Sequence, residues 1–236
     1  MPTLILARHG RTAANASGVL AGRTPGVGLD DTGRAQADAA AERLAGVPLA
    51  LVVSSPLQRC RETAAVLVRD HDGAGRVRSE AGFNECDYGE WAGQKLATLA
   101  KRKLWTTVQR QPSAARFPGG ESLQEMSARA VRTARRRDAA VEEEHGAGAI
   151  WLAVTHGDII KAVVADALGM HLDEFQRIVV DPASLSVIRY TPERTFVLAT
   201  NSSAGSLAHL GAHSRRGGRR GDAALGGGAG PSSATS

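Results

Sequence analysis

Three short apolar runs, each followed at once by reactive side chains, constrain this chain more than any other feature. Thr3–Ala7 leads into Arg8-His9-Gly10, Leu49–Val53 into Ser54-Ser55-Pro56-Leu57-Gln58-Arg59, and Ile150–Val154 into Thr155-His156-Gly157. The runs are short and lack a helical period, which suits buried strands. Helix-like stretches alternate with them. Asp30 and Asp31 precede an Ala-rich amphipathic stretch to Ala45, a capped helix stopped by Gly46 and Pro48. Ser54-Ser55-Pro56 starts a helix to about Val68, with Pro56 suited to its first turn. Helical pieces are expected between Gln94 and Gln109, a long helix from Ser122 to about Glu144, and another from Gly157 to Leu168. Ser184–Tyr190 and Thr195–Thr200 read as strands around a hairpin-type break at Thr191-Pro192-Glu193. The alternation predicts an α/β fold, a three-layer α/β/α sandwich with a mostly parallel central sheet.

At 236 residues, 42% hydrophobic and 22% charged, the chain reads as a soluble globular protein with a substantial core. Large apolar residues almost vanish beyond Asn201. We therefore expect a folded domain over 1–201 and a disordered Gly/Ser/Ala/Arg-rich tail over 202–236. Four arginines and one aspartate place +3 of the net charge of +5 in that tail. A body so close to neutral argues against a nucleic-acid-binding surface. Cys60 and Cys86 read as reduced thiols rather than a disulfide scaffold. Neither a signal peptide nor a membrane-length apolar run is evident, so a cytoplasmic location and no membrane contact are expected.

In open parallel sheets, ligand sites form beyond the carboxyl ends of the strands. Arg8, His9, Arg59 and His156 should converge there, and their natural ligand is an oxyanion, because guanidinium forks match phosphate oxygens. Helix N-termini near Pro56 and Gly157 add amide donors, and Asn15 a neutral one. A clamp alone would make a binding module; a histidine inside it suggests catalysis, since neutral imidazole is a nucleophile near physiological pH. Attack on phosphorus gives a phosphohistidine, and one carboxyl group serves first as acid and then as base. Glu85, in Phe83-Asn84-Glu85-Cys86-Asp87-Tyr88-Gly89-Glu90-Trp91, is the candidate, with Asp87 and Glu90 as local rivals. A protonated Glu85 and a neutral His9 predict activity on the acidic to neutral side.

The pattern resembles the histidine phosphatase superfamily, in its phosphoglycerate-mutase-like branch. Arg8-His9-Gly10-Arg11-Thr12-Ala13-Ala14-Asn15 matches the family's Arg-His-Gly-x-Thr-x-x-Asn signature. Leu29 to Ala37, Ser54 to Arg59 with Thr63-Ala64, Glu85 to Gly93, Phe117 to Ser122 and Thr155 to Gly157 follow in the family's order. The resemblance implies a phosphoglycerate-mutase-like fold and His9 as the phosphorylated nucleophile. It implies Arg8, Arg59, His156 and Asn15 as phosphoryl ligands, with Gly157 beside them, and Glu85 as proton donor. It implies no metal and no cofactor, a small phosphorylated substrate, and a family in which homodimers are common. Mutases carry a Glu-Arg-His-Tyr-Gly-type stretch where this chain has Glu85-Cys86-Asp87-Tyr88-Gly89. That departure favours a metal-independent phosphatase, with a cofactor-dependent mutase or a non-catalytic phosphate-binding module as alternatives. Thr24–Gly28 is longer and richer in glycine than the pattern suggests and is expected to border the pocket.

Overall fold

The computed structural model describes residues 2–71, 75–203, 225, 226 and 228. In chain order the main elements are β1 (Thr3–Arg8), α1 (Ala13–Ala16), α2 (Asp31–Leu44), β2 (Leu49–Ser54), α3 (Gln58–Leu67) and β3 (Arg78–Ser79). After them come α4 (Leu96–Leu99), α5 (Lys103–Arg110), α6 (Leu123–His145), β4 (Ile150–Thr155), α7 (Gly157–Ala167), β5 (Leu185–Tyr190) and β6 (Thr195–Ser202). The strands form one sheet in the order β3-β2-β4-β1-β5-β6. The first four of that order run parallel, and β5 and β6 close the sheet as an antiparallel hairpin.

Alternation along the strands divides the core in two. Leu4 and Leu6 of β1 join Trp151 and Ala153 of β4 against α6 and α7. Ile5 and Ala7 join Leu152 and Val154 against Ala40 and Leu44 of α2 and Ala64 and Leu67 of α3. Helices thus cover both faces, giving the expected three layers.

Local signals account for the helix limits. Asp30 caps α2 by accepting the Gly33 amide at 2.7 Å, and its buried residues Gly33, Ala37, Ala40 and Leu44 fall on one stripe. Ser122 and Glu125 form a reciprocal capping box on α6, which ends at Gly146 with φ of 83°.

Three details differ from the sequence expectations. α3 starts at Gln58 rather than at Pro56, because the Ser55 amide still bonds the Val154 carbonyl at 2.9 Å and Leu57 is extended. The two-residue strand β3 carries no periodic signal of its own. The Arg135–Arg137 run, which the sequence suggests is a solvated face of the long helix paired within it near Glu142–Glu144, pairs instead across elements: Arg135 binds Asp166 at 2.7 Å, and Arg136 and Arg137 bind Glu80 at 3.0 and 2.5 Å. Most of the segment 202–236, read as a disordered tail, lies outside the described residues.

Gly10 and Gly33 lock the signature loop onto α2. A Cβ on Gly10 would come within 2.3 Å of the Gly33 carbonyl oxygen, and one on Gly33 within 2.0 Å of the Arg11 carbonyl oxygen. Gly33→Ala is therefore expected to destabilise the fold by about 1–3 kcal/mol, although alanine is the better helix former. Denaturant unfolding measures it, and an unchanged or raised midpoint would show that the loop yields freely.

Candidate active site

The site lies where β2, β4 and β1 end side by side. Arg8 is in register with Thr155 and Ser54 with Val154. The His9 amide then bonds the Thr155 carbonyl at 3.0 Å, so the residues just past each strand meet at one edge.

His9 is buried and its ring is fixed at both ends. Nδ1 lies 2.8 Å from the Gly10 carbonyl, and Nε2 faces Arg59 Nε at 3.3 Å. A carbonyl only accepts, so Nδ1 carries the proton and Nε2 keeps its lone pair. Burial, reinforced by the charges of Arg59 and Arg8, holds the imidazole pKa well below its ordinary value. Arg59, also buried, donates Nη2 to the Gly22 carbonyl at 2.8 Å and contacts His156 Nδ1 at 3.1 Å. Its Nη1 is buried with no hydrogen-bond partner among the described residues. A buried guanidinium donor left unmatched beside a nucleophilic nitrogen is suited to an oxyanion.

His156 stands 5.3 Å from His9, ring centre to ring centre, with Nε2 2.8 Å from Ser55 Oγ. Glu85 Oε2 lies 3.7 Å from His156 Nδ1, and Oε1 accepts the Cys86 amide at 2.9 Å. Burial first, and then the nearby Asp158 carboxylate, raise the Glu85 pKa to about 7 against the pull of Arg59, the Cys86 amide and Arg8. A carboxyl group that keeps its proton near neutrality can donate it.

His9, Asn15, Arg59 and Glu85 line one cavity together with Thr12, Val19, Leu20, Ala21, Gly22 and Leu96. Asn15 serves the fold as well. Its Oδ1 accepts from the Thr12 amide and hydroxyl, leaving Nδ2 as the group available to a ligand. Arg8 lies behind this lining, fully buried, with Nη1 on the Val180 carbonyl at 2.9 Å; desolvation lowers its pKa to about 10. Gly157, the first residue of α7, is buried next to His156. Of the three neighbouring acids, only Glu85 reaches the cavity. Asp87 instead accepts from the Gly89 amide and pairs with Arg23, and Glu90 is exposed. Thr24–Gly28 does not form the expected wall, which is made by Val19–Gly22.

The residues that hold Glu85 in place escaped the sequence reading. Arg23 Nε donates to the Glu85 carbonyl at 2.8 Å, and Arg129 Nη1 donates to the carbonyls of Gly82 and Asn84, each at 2.9 Å. Glu121 joins the two arginines, at 3.0 Å from Arg23 and 2.6 Å from Arg129, and accepts the Asp87 amide at 2.9 Å. Behind Glu85, Tyr88 donates its hydroxyl to buried Asp158 at 2.7 Å. Side-chain donors on distant backbone carbonyls have no sequence period, and the charge of Glu121 within its motif was the one available hint.

Comparison with known proteins gives a consistent picture. A profile described as histidine phosphatase superfamily (branch 1) matches residues 4–203. The chain is 28% identical over 199 residues to a 2,3-bisphosphoglycerate-dependent phosphoglycerate mutase 2 of Gloeobacter violaceus, covering 83% of this chain and 89% of the relative. It is 31% identical over 180 residues to a glucosyl-3-phosphoglycerate phosphatase of Mycolicibacterium vanbaalenii, covering 73% and 76%. Among solved structures it is similar to a mycobacterial glucosyl-3-phosphoglycerate phosphatase in complex with VO3, with a TM-score of 0.74 and 26% identity over 85% of this chain and 99% of that one.

Proposed function

Because this chain belongs to branch 1 of the histidine phosphatase superfamily, we propose that it is a phosphomonoester hydrolase, working without a metal ion through a phosphohistidine at His9. The observation that carries this reading is the poised pair: a buried neutral His9 with its Nε2 lone pair against Arg59, and a buried Glu85 raised to about 7. The Nε2 lone pair attacks phosphorus while the ester P–O bond breaks, and the leaving oxygen takes the Glu85 proton. Water then attacks the phosphohistidine, the P–N bond breaks, and the Glu85 carboxylate takes the water's proton. Arg59, Arg8 and His156 offset the charge that develops on the equatorial oxygens.

The cavity wall favours hydrolysis over mutase chemistry. A mutase must hold a second anionic group. Yet beyond the clamp the described lining is mostly apolar, with Val19, Leu20, Ala21, Leu96 and Leu225, and Arg59 is its one cation. Two cations of the flanking loops are already paired, Arg11 with Asp30 and Arg23 with Asp87 and Glu121. The leaving group is therefore an uncharged, partly apolar alcohol. Turnover with EDTA present should release phosphate from uncharged alkyl and aryl phosphomonoesters, with kcat/KM well above that for a phosphomonoester bearing a second anion. Interconversion of phosphoglycerates primed by 2,3-bisphosphoglycerate, faster than phosphate release, would establish the mutase instead.

A further inference from the structure

The C-terminal segment returns to the active site. Leu225, at 1% exposure, packs in the same apolar cluster as Leu20 and Tyr88. The Gly226 amide donates to Asp158 Oδ2 at 3.0 Å, on the oxygen that also accepts from Tyr88, and its carbonyl lies 3.5 Å from Arg8 Nη2. Leu225, Gly226 and Gly228 line the same cavity as His9, Arg59 and Glu85. Gly226 has a φ of 70°, and a Cβ there would approach Leu20 Cδ1 at 3.0 Å and Tyr88 Oη at 3.6 Å. The space remaining is about 30 Å³, room for about two water molecules and too little for a phosphomonoester.

We propose that the mouth of the site carries a subsite for a Leu-Gly peptide unit, which the chain's own C-terminal segment fills in competition with the substrate. Buried Asp158 accepts the peptide N–H, the Arg8 guanidinium meets the peptide carbonyl, and Leu225 enters the apolar wall at Leu20. The two ligands exclude each other because they share Arg8 and the same space beside His9. A tethered segment acts at an effective concentration on the order of millimolar, so a weak intrinsic affinity is enough to close the site. Substrate binds only the open fraction of molecules, which raises its apparent Kd by the reciprocal of that fraction. The proposal rests on the phosphoryl-transfer reading for the identity of the competing ligand.

The test uses the full chain and two variants. Gly226→Val disrupts the seat by strain and contact, and Leu225→Asp places a carboxylate in the apolar wall near Glu85 and Asp158. The affinity for inorganic phosphate, measured by calorimetry, should tighten at least about tenfold in both, the factor for a site open a tenth of the time or less. KM for p-nitrophenyl phosphate should fall with little change in kcat. The peptide Ala-Ala-Leu-Gly-Gly-Gly at millimolar concentration should compete with phosphate on the Gly226→Val chain. Unchanged or weaker phosphate binding in both variants would overturn the proposal, as would failure of the peptide to compete. Tighter phosphate binding without hydrolysis by any form would uphold the subsite and overturn the phosphatase reading instead.

Discussion

Replacing His9 with alanine is expected to abolish turnover and the covalent intermediate together. Among the described residues that line the cavity, Nε2 is the nucleophilic atom held against Arg59. Water lacks that positioning, and removing a covalent nucleophile typically costs roughly 10⁴-fold or more in kcat. The fold should tolerate the change, since the Gly10 amide is bonded to Thr63 and the loop rests on Gly33 independently of the imidazole. Phosphate binding should also survive, because Arg59 and His156 remain. Intact-mass spectrometry after brief substrate exposure should show one added phosphoryl group on the wild type and none on His9→Ala. Retention of more than about 1% of the wild-type rate would show that phosphorus is attacked by something other than His9.

The second large effect belongs to Glu85. Its carboxyl must be protonated for the first step, and burial beside Asp158 raises its pKa to about 7. kcat/KM should accordingly be high on the acidic side and fall as the pH rises through about 7. His9, held well below its ordinary value by burial and two arginines, should produce no limb near neutrality. Glu85→Gln cannot supply a proton and should lose roughly 10²- to 10⁴-fold in kcat. The loss should be smallest for p-nitrophenyl phosphate, whose leaving group departs as a stable anion, and largest for alkyl phosphates. Equal losses on both esters would remove Glu85 as the acid and leave it a positioning role.

The same shift has a stability consequence of definite sign. The folded chain keeps on Glu85 a proton that the unfolded chain releases above its ordinary value of 4.5. Stability from this group therefore falls as the pH rises from about 4.5 to about 7. Glu85→Gln, which buries no charge, should be more resistant to denaturant than the wild type above pH 7. Equal midpoints at pH 8 would show that the buried carboxylate is compensated by its neighbours.

The central fold and the placement of the strand-end side chains were legible in the sequence because each is written locally. Period-two alternation in Thr3–Arg8 sends Leu4 and Leu6 to one face and Ile5 and Ala7 to the other. A capping side chain lies within three residues of the amide it satisfies, as with Asp30 and Ser122. Parallel strands ending in register then need no further instruction to gather Arg8, His9, Ser55 and His156. The carboxyl group was less legible. Glu85, Asp87 and Glu90 lie within one segment, and only the backbone path through Phe83–Trp91 turns the first of them into the cavity.

By itself, then, the sequence determined the α/β layers, the helix limits to within a few residues, and which side chains stand at the ends of β1, β2 and β4. The tertiary structure alone decided how Glu85 is held, through Arg23, 62 residues away, and Arg129, 45 residues from Asn84. It alone placed Leu225 in the apolar cluster of Leu20 and Gly226 against Asp158 and Arg8, from within a stretch whose composition reads as structureless. The physical reason is the same in both cases. A donor on a distant carbonyl, or one leucine seated in a wall built by other elements, has its energy set by position in space, and neither leaves a periodic mark along the chain.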